Sequence, residues 1–199
     1  MHRFDPHDAN RLDDPWRREA LPPLPTLERL GFRESDTMLD FGCGIGYFAF
    51  PAAVFVGPKR KVFALDVSEA MLDEMDRLVH RLGASNVVPL LSDGTDWKVP
   101  DASVTFALCS CVLHEVDDKA AFLAEARRVL APGGRIAVVE WRTDYPDRGP
   151  SAALRLGPDE TAALLAAAGF VPEPVVAISD AYYGLAGVLT GTATAPTGE

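Results

Sequence analysis

The residues Met38-Leu39-Asp40-Phe41-Gly42-Cys43-Gly44-Ile45-Gly46-Tyr47-Phe48 carry the clearest chemical signal in this chain. An apolar run ends in an acid, and three glycines follow at alternate positions. Glycine is needed where the backbone takes positive φ or where a ligand must touch the main chain. Three of them in five residues let a ligand lie along the backbone beside the free N–H groups of a helix start. A second apolar run, Lys61-Val62-Phe63-Ala64-Leu65-Asp66, also ends in an acid, 20 residues beyond Gly46. A carboxylate at that spacing, at the end of the next parallel strand, can accept hydrogen bonds from both hydroxyls of a ribose. Gly44-Ile45-Gly46-Tyr47-Phe48-Ala49 also satisfies the dinucleotide fingerprint G-x-G-x-x-A, so an NAD-type ligand with Asp66 on its ribose is open at this point.

Other reactive residues lie farther along. Asp93 closes a third strand-like run; taken singly, each of these acids could equally be a helix cap or a surface turn. His114, at the turn after a fourth run and beside Glu115, is the candidate general base. Its alternative use is structural, facing the core or capping the next helix. His2 and His7 are weaker candidates. Cys43, Cys109 and Cys111 could converge on a thiophilic metal or present a thiol, but Cys-x-Cys with one remote Cys is not a structural zinc pattern. Buried free cysteines are common, and no metal site is expected.

The elements that must position these residues alternate. Thr37–Phe41, Val62–Leu65, Val87–Leu91, Val104–Cys109 and Arg135–Trp141 read as strands. Between them lie helical patterns: one after Gly46, its regular part starting near Phe50 because Pro51 fits only a first turn; one capped by Ser68, with Met71, Leu72, Met75, Leu78, Val79 and Leu82 on one face; and one from about Asp118. Pro132-Gly133-Gly134 stops the last of these. Gly157-Pro158-Asp159-Glu160 opens a further helix. Two closing runs, 170–179 and 182–189, have no helix-length pattern between them and should pair as an antiparallel hairpin. Such alternation implies an α/β fold, a mostly parallel sheet with helices on both faces. The organisation expected is an N-terminal arm or lid over 1–30, one domain over 31–190 and a flexible tail over 191–199.

The totals narrow the class. A chain of 199 residues holds one domain with a real core. A formal charge of −10 argues against sequence-independent nucleic-acid binding. No apolar run reaches the ~20 residues of a membrane helix, and Met1–Pro6 lacks the apolar core of a signal peptide, so a cytoplasmic location is expected. Three cysteines do not suggest a disulfide framework.

With these motifs in place, the chain resembles the class I S-adenosylmethionine-dependent methyltransferases, in particular the group that includes ubiquinone and menaquinone C-methyltransferases. Asp40, Gly42, Gly44 and Gly46 match the family's first motif. Ser92-Asp93-Gly94 stands where its third strand ends in an acid. The segment from Val104 to Glu115 looks like its fourth strand and turn, and Leu130 to Glu140 like its "L-x-P-G-G" entry to the fifth. The resemblance spans about Thr37 to Ala193.

It implies a Rossmann-like seven-stranded sheet whose last strand runs antiparallel between the fifth and sixth. It implies S-adenosylmethionine as cofactor and S-adenosylhomocysteine as product. The ribose would meet Asp66, the adenine amino group Asp93, and the methionine ammonium the main chain near Gly42 and Cys109, with Asp40 steadying loop and ammonium. Cys43, Gly44 and Gly46 would complete the cofactor loop. Val67 would lie on the adenine face, Met71 within reach, and the N–H of Gly94 or Thr95 on a ring nitrogen. The N-terminal segment would be a lid, or else a solvated arm. The reaction would be in-line methyl transfer to a small-molecule acceptor. Alternatives are an NAD(P)-dependent oxidoreductase, which lacks a recognisable Tyr-x-x-x-Lys pair here, and a non-catalytic module that binds the cofactor. Trp16, Trp97, Trp141, Tyr145 and Tyr182 could line an acceptor pocket or simply pack.

Overall fold

A computed structural model describes residues 14–190. The first 13 residues of the expected arm, with His2 and His7, and the expected tail lie outside the described residues.

The apolar runs form strands β1 (Met38–Phe41), β2 (Val62–Asp66), β3 (Val87–Leu91), β4 (Val104–Ser110) and β5 (Leu130–Trp141) of one sheet. Later come β6 (Phe170–Pro172), β7 (Val176–Ala177) and β8 (Tyr182–Leu189). The order across the sheet is β3-β2-β1-β4-β5-β8-β6, with β7 also paired to β8. The first five strands are mutually parallel, and β8 runs antiparallel between β5 and β6. The inserted antiparallel strand is the expected closing arrangement, and it separates this sheet from an all-parallel dinucleotide-binding one.

Two expectations need correction. The run 170–179 is not one strand: Pro172 and Pro174 remove ladder donors, so it breaks into β6 and β7, which share β8 as partner. The Pro-Gly-Gly segment does not precede β5 but bulges within it. Val104 pairs with Leu130 and Phe106 with Arg135, so five residues of β5 span two of β4. Gly133 takes φ +76° at this bulge.

Helices cover both faces. α1 (Pro15–Ala20), α2 (Pro23–Arg29), α3 (Ala49–Val56) and α4 (Glu69–Leu82) lie on one side, and α5 (Lys119–Val129) and α6 (Pro158–Ala167) on the other. Strand alternation divides the core accordingly. Leu39, Phe41, Cys109, Ile136 and Val138 face Phe122, Leu123 and Leu165. Met38, Val62, Ala64, Leu108 and Val139 face Leu27, Ala52, Met75 and Phe48. Pro15 opens α1 and Asp14 caps it by accepting from Arg17 N at 2.7 Å. Asp118 caps α5 in the same way through Ala121 N. Ser68 stands at the start of α4 but makes no side-chain cap bond; its own N–H is taken by Asp66. Among the described residues no helix is long and apolar enough to cross a membrane.

Candidate functional site

The strand order reverses between β1 and β4, and ligands of open α/β sheets bind beyond the carboxyl ends of strands at that point. There the chain turns from β1 into the glycine loop and α3. Gly42, Gly44 and Gly46 all take positive φ. At Gly42 a side chain is excluded twice, because a Cβ would overlap Val112 Cγ2. At Gly46 a Cβ would stand 2.5 Å from the Phe50 ring.

Asp40 ends β1 on the same sheet face as α3 and is only 2% exposed. Its Oδ2 has no hydrogen-bond partner. Burial, and then the neighbouring Asp66 charge, push its carboxyl up to about 8, with Arg17 pulling the other way. A small cavity of about 30 Å³ adjoins it, lined by Arg17, Asp40, residues 42–45 of the glycine loop, Tyr47, Phe48 and Ser110.

Asp66 ends β2 one strand away. Its Oδ2 accepts from Gly44 N and its Oδ1 from Ser68 N, both at 2.9 Å. The acid therefore ties the glycine loop to the start of α4, and burial raises its pKa against these bonds. Each oxygen keeps a further lone pair. Val67 follows half-buried, and Met71 is buried in the first turns of α4.

The third acid is different. Asp93 is exposed, and its Oδ1 collects Thr95 N, Thr95 Oγ1 and Asp96 N. Those bonds hold its carboxyl at about 2. Gly94 N donates to Ser92 Oγ at 3.0 Å. The N–H groups of Gly94 and Thr95, expected to meet a ligand ring, are thus donated within their own turn.

The cysteines do not converge. Cys109 belongs to the α5 face of the core and Cys43 to the α3 face. Cys43 packs its sulfur 3.9 Å from Met75 Sδ. Cys111 leaves β4 at φ +57°, and burial with the nearby Glu140 pushes its thiol up to about 12. All three remain neutral thiols near pH 7.

His114 is held rather than free. Its ring is 4% exposed, Nδ1 lies 2.7 Å from Glu140 Oε2, and its backbone N–H donates to Glu140 Oε1 at 3.1 Å. Nε2 lies 3.7 Å from Glu115 Oε1. Burial alone would lower its pKa, but the bond to Glu140 and the two carboxylates raise it on balance. Glu140 itself is 1% exposed at the end of β5. It escaped the sequence reading although it bears the same mark as Asp40 and Asp66, an acid closing an apolar strand.

Of the five candidate aromatics, four assemble. Trp16 stacks on Trp141 at 6.0 Å and 9°, with Tyr145 and Tyr182 around them. Trp97 is instead buried in the opposite core, between Phe41 and Phe122. Trp16 brings α1 across the strand ends. The Tyr47 hydroxyl shares its proton between Arg17 O and Leu21 O, 3.1 and 2.9 Å away, and its ring lies 4.4 Å beneath the Arg17 guanidinium. Nothing in the sequence around Arg17 signals this placement.

Comparison with known proteins places this site in context. The family profile described as "Methyltransferase domain" matches residues 38–134. A solved S-adenosylmethionine-dependent methyltransferase from Aquifex aeolicus is 32% identical, with a TM-score of 0.89 over 94% of this chain and 100% of its own. The arsenite methyltransferase of Halobacterium salinarum is 31% identical over 69% of this chain and 34% of its own length. A ubiquinone/menaquinone biosynthesis C-methyltransferase of Francisella philomiragia is 32% identical over 63% and 48% respectively. The chain spans about a third to a half of the length of these curated relatives.

Proposed function

The chain belongs to the class I S-adenosylmethionine-dependent methyltransferase family, and from that premise we propose that it transfers a methyl group from S-adenosylmethionine to a small-molecule acceptor. One observation carries this reading: the buried Asp40 carboxyl group, unpartnered at Oδ2, in a pocket lined by the glycine loop. A carboxyl group held back from ionising by burial is matched to a cation, because the pair enters the interior with no net charge. The methionine ammonium is such a cation. Asp66, with a lone pair left on each oxygen, suits the ribose diol at the loop's other edge. Asp93 lies beyond it, toward the adenine.

The bound cofactor supplies a methyl carbon on a positively charged sulfonium, an electrophile that needs no further activation. The protein's part is placement. Glycine-loop backbone sets the depth of the pocket, and α1 covers it and excludes water as a lid. Holding two reactants in line contributes several kcal/mol, up to roughly 7–11 in the best cases. Trp16, Trp141, Tyr145 and Tyr182 offer an apolar wall on the acceptor side. His114 orders that side by joining the turn after β4 to β5 through Glu140. The bond to Glu140 fixes its ring, which suits it to a positioning role.

The test has two arms. Thermal denaturation should show stabilisation by S-adenosylmethionine and S-adenosylhomocysteine and none by NAD(H); the reverse pattern would overturn the assignment. Labelled methyl should then pass from cofactor to a small-molecule extract. Binding without transfer to any such extract would leave a cofactor-binding module instead of an enzyme.

A further inference from the structure

Trp16 fills the aromatic corner on the acceptor side. Its ring has Trp141, Tyr182 and Tyr145 around it at 6.0, 6.1 and 6.3 Å, and the Arg148 guanidinium lies over it at 4.5 Å. The two sides of this contact are built differently. Trp141 and Tyr182 are register partners across β5 and β8. Tyr145 and Arg148 stand on the loop 142–150, which is wrapped around one side chain: Arg155 donates to the carbonyls of Arg142, Tyr145, Arg148 and Pro150. Gly149 brings that loop so close to Trp141 that a Cβ would stand 2.7 Å from the indole. The receiving side is therefore preorganised. Trp16 sits instead on α1, six residues with none buried. Its polar tie to the loop is a half-exposed ion pair, Asp14 Oδ2 with Arg148 at 3.1 Å, and exposed pairs contribute little. The cavity beside Asp40 is about 30 Å³, far below the ~300–1,000 Å³ of pockets that enclose small molecules. An acceptor reaches the site only when a wall gives way, and the loosely tied ring is that wall. It leaves behind a cup of three aromatic rings with a guanidinium at the rim.

We propose that Trp16 and Asp14 hold the acceptor's place, and that the acceptor is a planar aromatic anion. Its ring replaces the Trp16 indole against Trp141, Tyr145 and Tyr182, and its carboxylate replaces Asp14 on Arg148. The inference rests on the reading of this site as that of an S-adenosylmethionine-dependent methyltransferase, and it supplies the substrate class which that reading leaves open. The exchange conserves every contact on the loop side. A flat ring succeeds a flat ring, and a carboxylate succeeds a carboxylate on a guanidinium whose fork suits two oxygens. An aliphatic acceptor would leave the rings without a stacking partner, and a neutral one would leave Arg148 without an anion.

Calorimetric titration with indole-3-acetate and its uncharged counterpart indole-3-acetamide tests both halves. In the unmodified protein either ligand competes with Trp16. Trp16→Ala removes the competitor and should tighten indole-3-acetate about 10-fold. Arg148→Ala added to Trp16→Ala should then weaken indole-3-acetate about 10-fold and leave indole-3-acetamide within about twofold. Circular dichroism checks that each variant is folded; one that fails is replaced by Trp16→Leu or Arg148→Gln. Indole-3-acetate that binds Trp16→Ala no better than the unmodified protein, or not at all, overturns the place-holding role. Equal losses for the two ligands on removing Arg148 overturn the anionic class. In the transfer assay, passing the extract over an anion-exchange resin should remove the acceptor, and the salt eluate should restore it; undiminished transfer to the flow-through overturns the anion as well. S-adenosylhomocysteine is titrated alongside. Its failure to bind would sink the cofactor reading, whereas the indole-3-acetate titrations report on Trp16 and Arg148 whatever that outcome.

Discussion

Asp40 sets the pH behaviour of the site. With its carboxyl pushed up to about 8 by burial and by Asp66, it is mostly protonated at pH 7 in the free protein. An ammonium seated on it requires the ionised form. S-adenosylhomocysteine binding at pH 7 should therefore release close to one proton, falling toward zero by about pH 9.5. Calorimetry in buffers of different ionisation enthalpy measures this directly, and a release near zero at pH 7 would show that Asp40 is already charged. The same shift acts on stability. Between the ordinary carboxyl pKa and about 8 the folded state holds a proton that the unfolded state has lost, so Asp40 makes stability fall as pH rises. Asp40→Asn should flatten that decline, gaining roughly 1–3 kcal/mol at pH 9 relative to pH 5, while abolishing cofactor binding. Glu140 acts in the same direction through His114, in a higher pH window. A histidine with a raised folded pKa contributes stability that is present below about 6.5 and lost as pH climbs through the folded value. Glu140→Gln should lower the His114 pKa, read by NMR titration, and cost roughly 1–3 kcal/mol at pH 6 with a smaller loss at pH 9. An unmoved His114 titration would mean that the 2.7 Å contact does not hold the ring.

At the level of elements, the site exists because β1 is short and stops in a turn that only glycine can make at Gly42. Positive φ and the overlap with Val112 act together there. Gly42→Ala should cost about 1–3 kcal/mol and weaken cofactor binding. Adding Val112→Ala should restore part of the stability by removing the overlap, leaving the backbone strain; a chemical-denaturation double-mutant cycle measures the coupling. If the two losses simply add, the contact with Val112 is not what requires glycine. The strands and most helix ends were legible because hydrophobic runs, caps and glycine stops are local. The Pro-Gly-Gly bulge and the split of 170–179 were not. Each depends on which neighbouring strand supplies hydrogen bonds, and sequence periodicity carries no information about the neighbour.

Across the whole molecule, the sheet divides two cores, and the division decides which aromatics serve the site. Trp97 packs with Phe41 and Phe122 on the α5 face, far from the cluster around Trp16. Trp97→Ala should cost about 3–5 kcal/mol in chemical denaturation and leave S-adenosylhomocysteine affinity unchanged in the protein that remains folded. A selective loss of affinity would place Trp97 at the site after all. Trp97→Phe should recover much of the stability, since its indole Nε1 is buried without a partner.

The amino-acid sequence by itself determined the alternation of strands and helices, the glycine turn and the acids at strand ends, because these are written in residues close together along the chain. Their spacing also carried the family resemblance, from Asp40 through Leu130-Ala131-Pro132-Gly133-Gly134. Only the tertiary structure decided which polar groups meet. Asp66 turned out to hold Gly44 N, Glu140 to hold His114 across 26 residues, and Arg17 to stand over Asp40 and Ser110. Whether a carboxylate or hydroxyl is buried, partnered or left waiting depends on what the fold brings within 3 Å of it, and residues distant in sequence decide that.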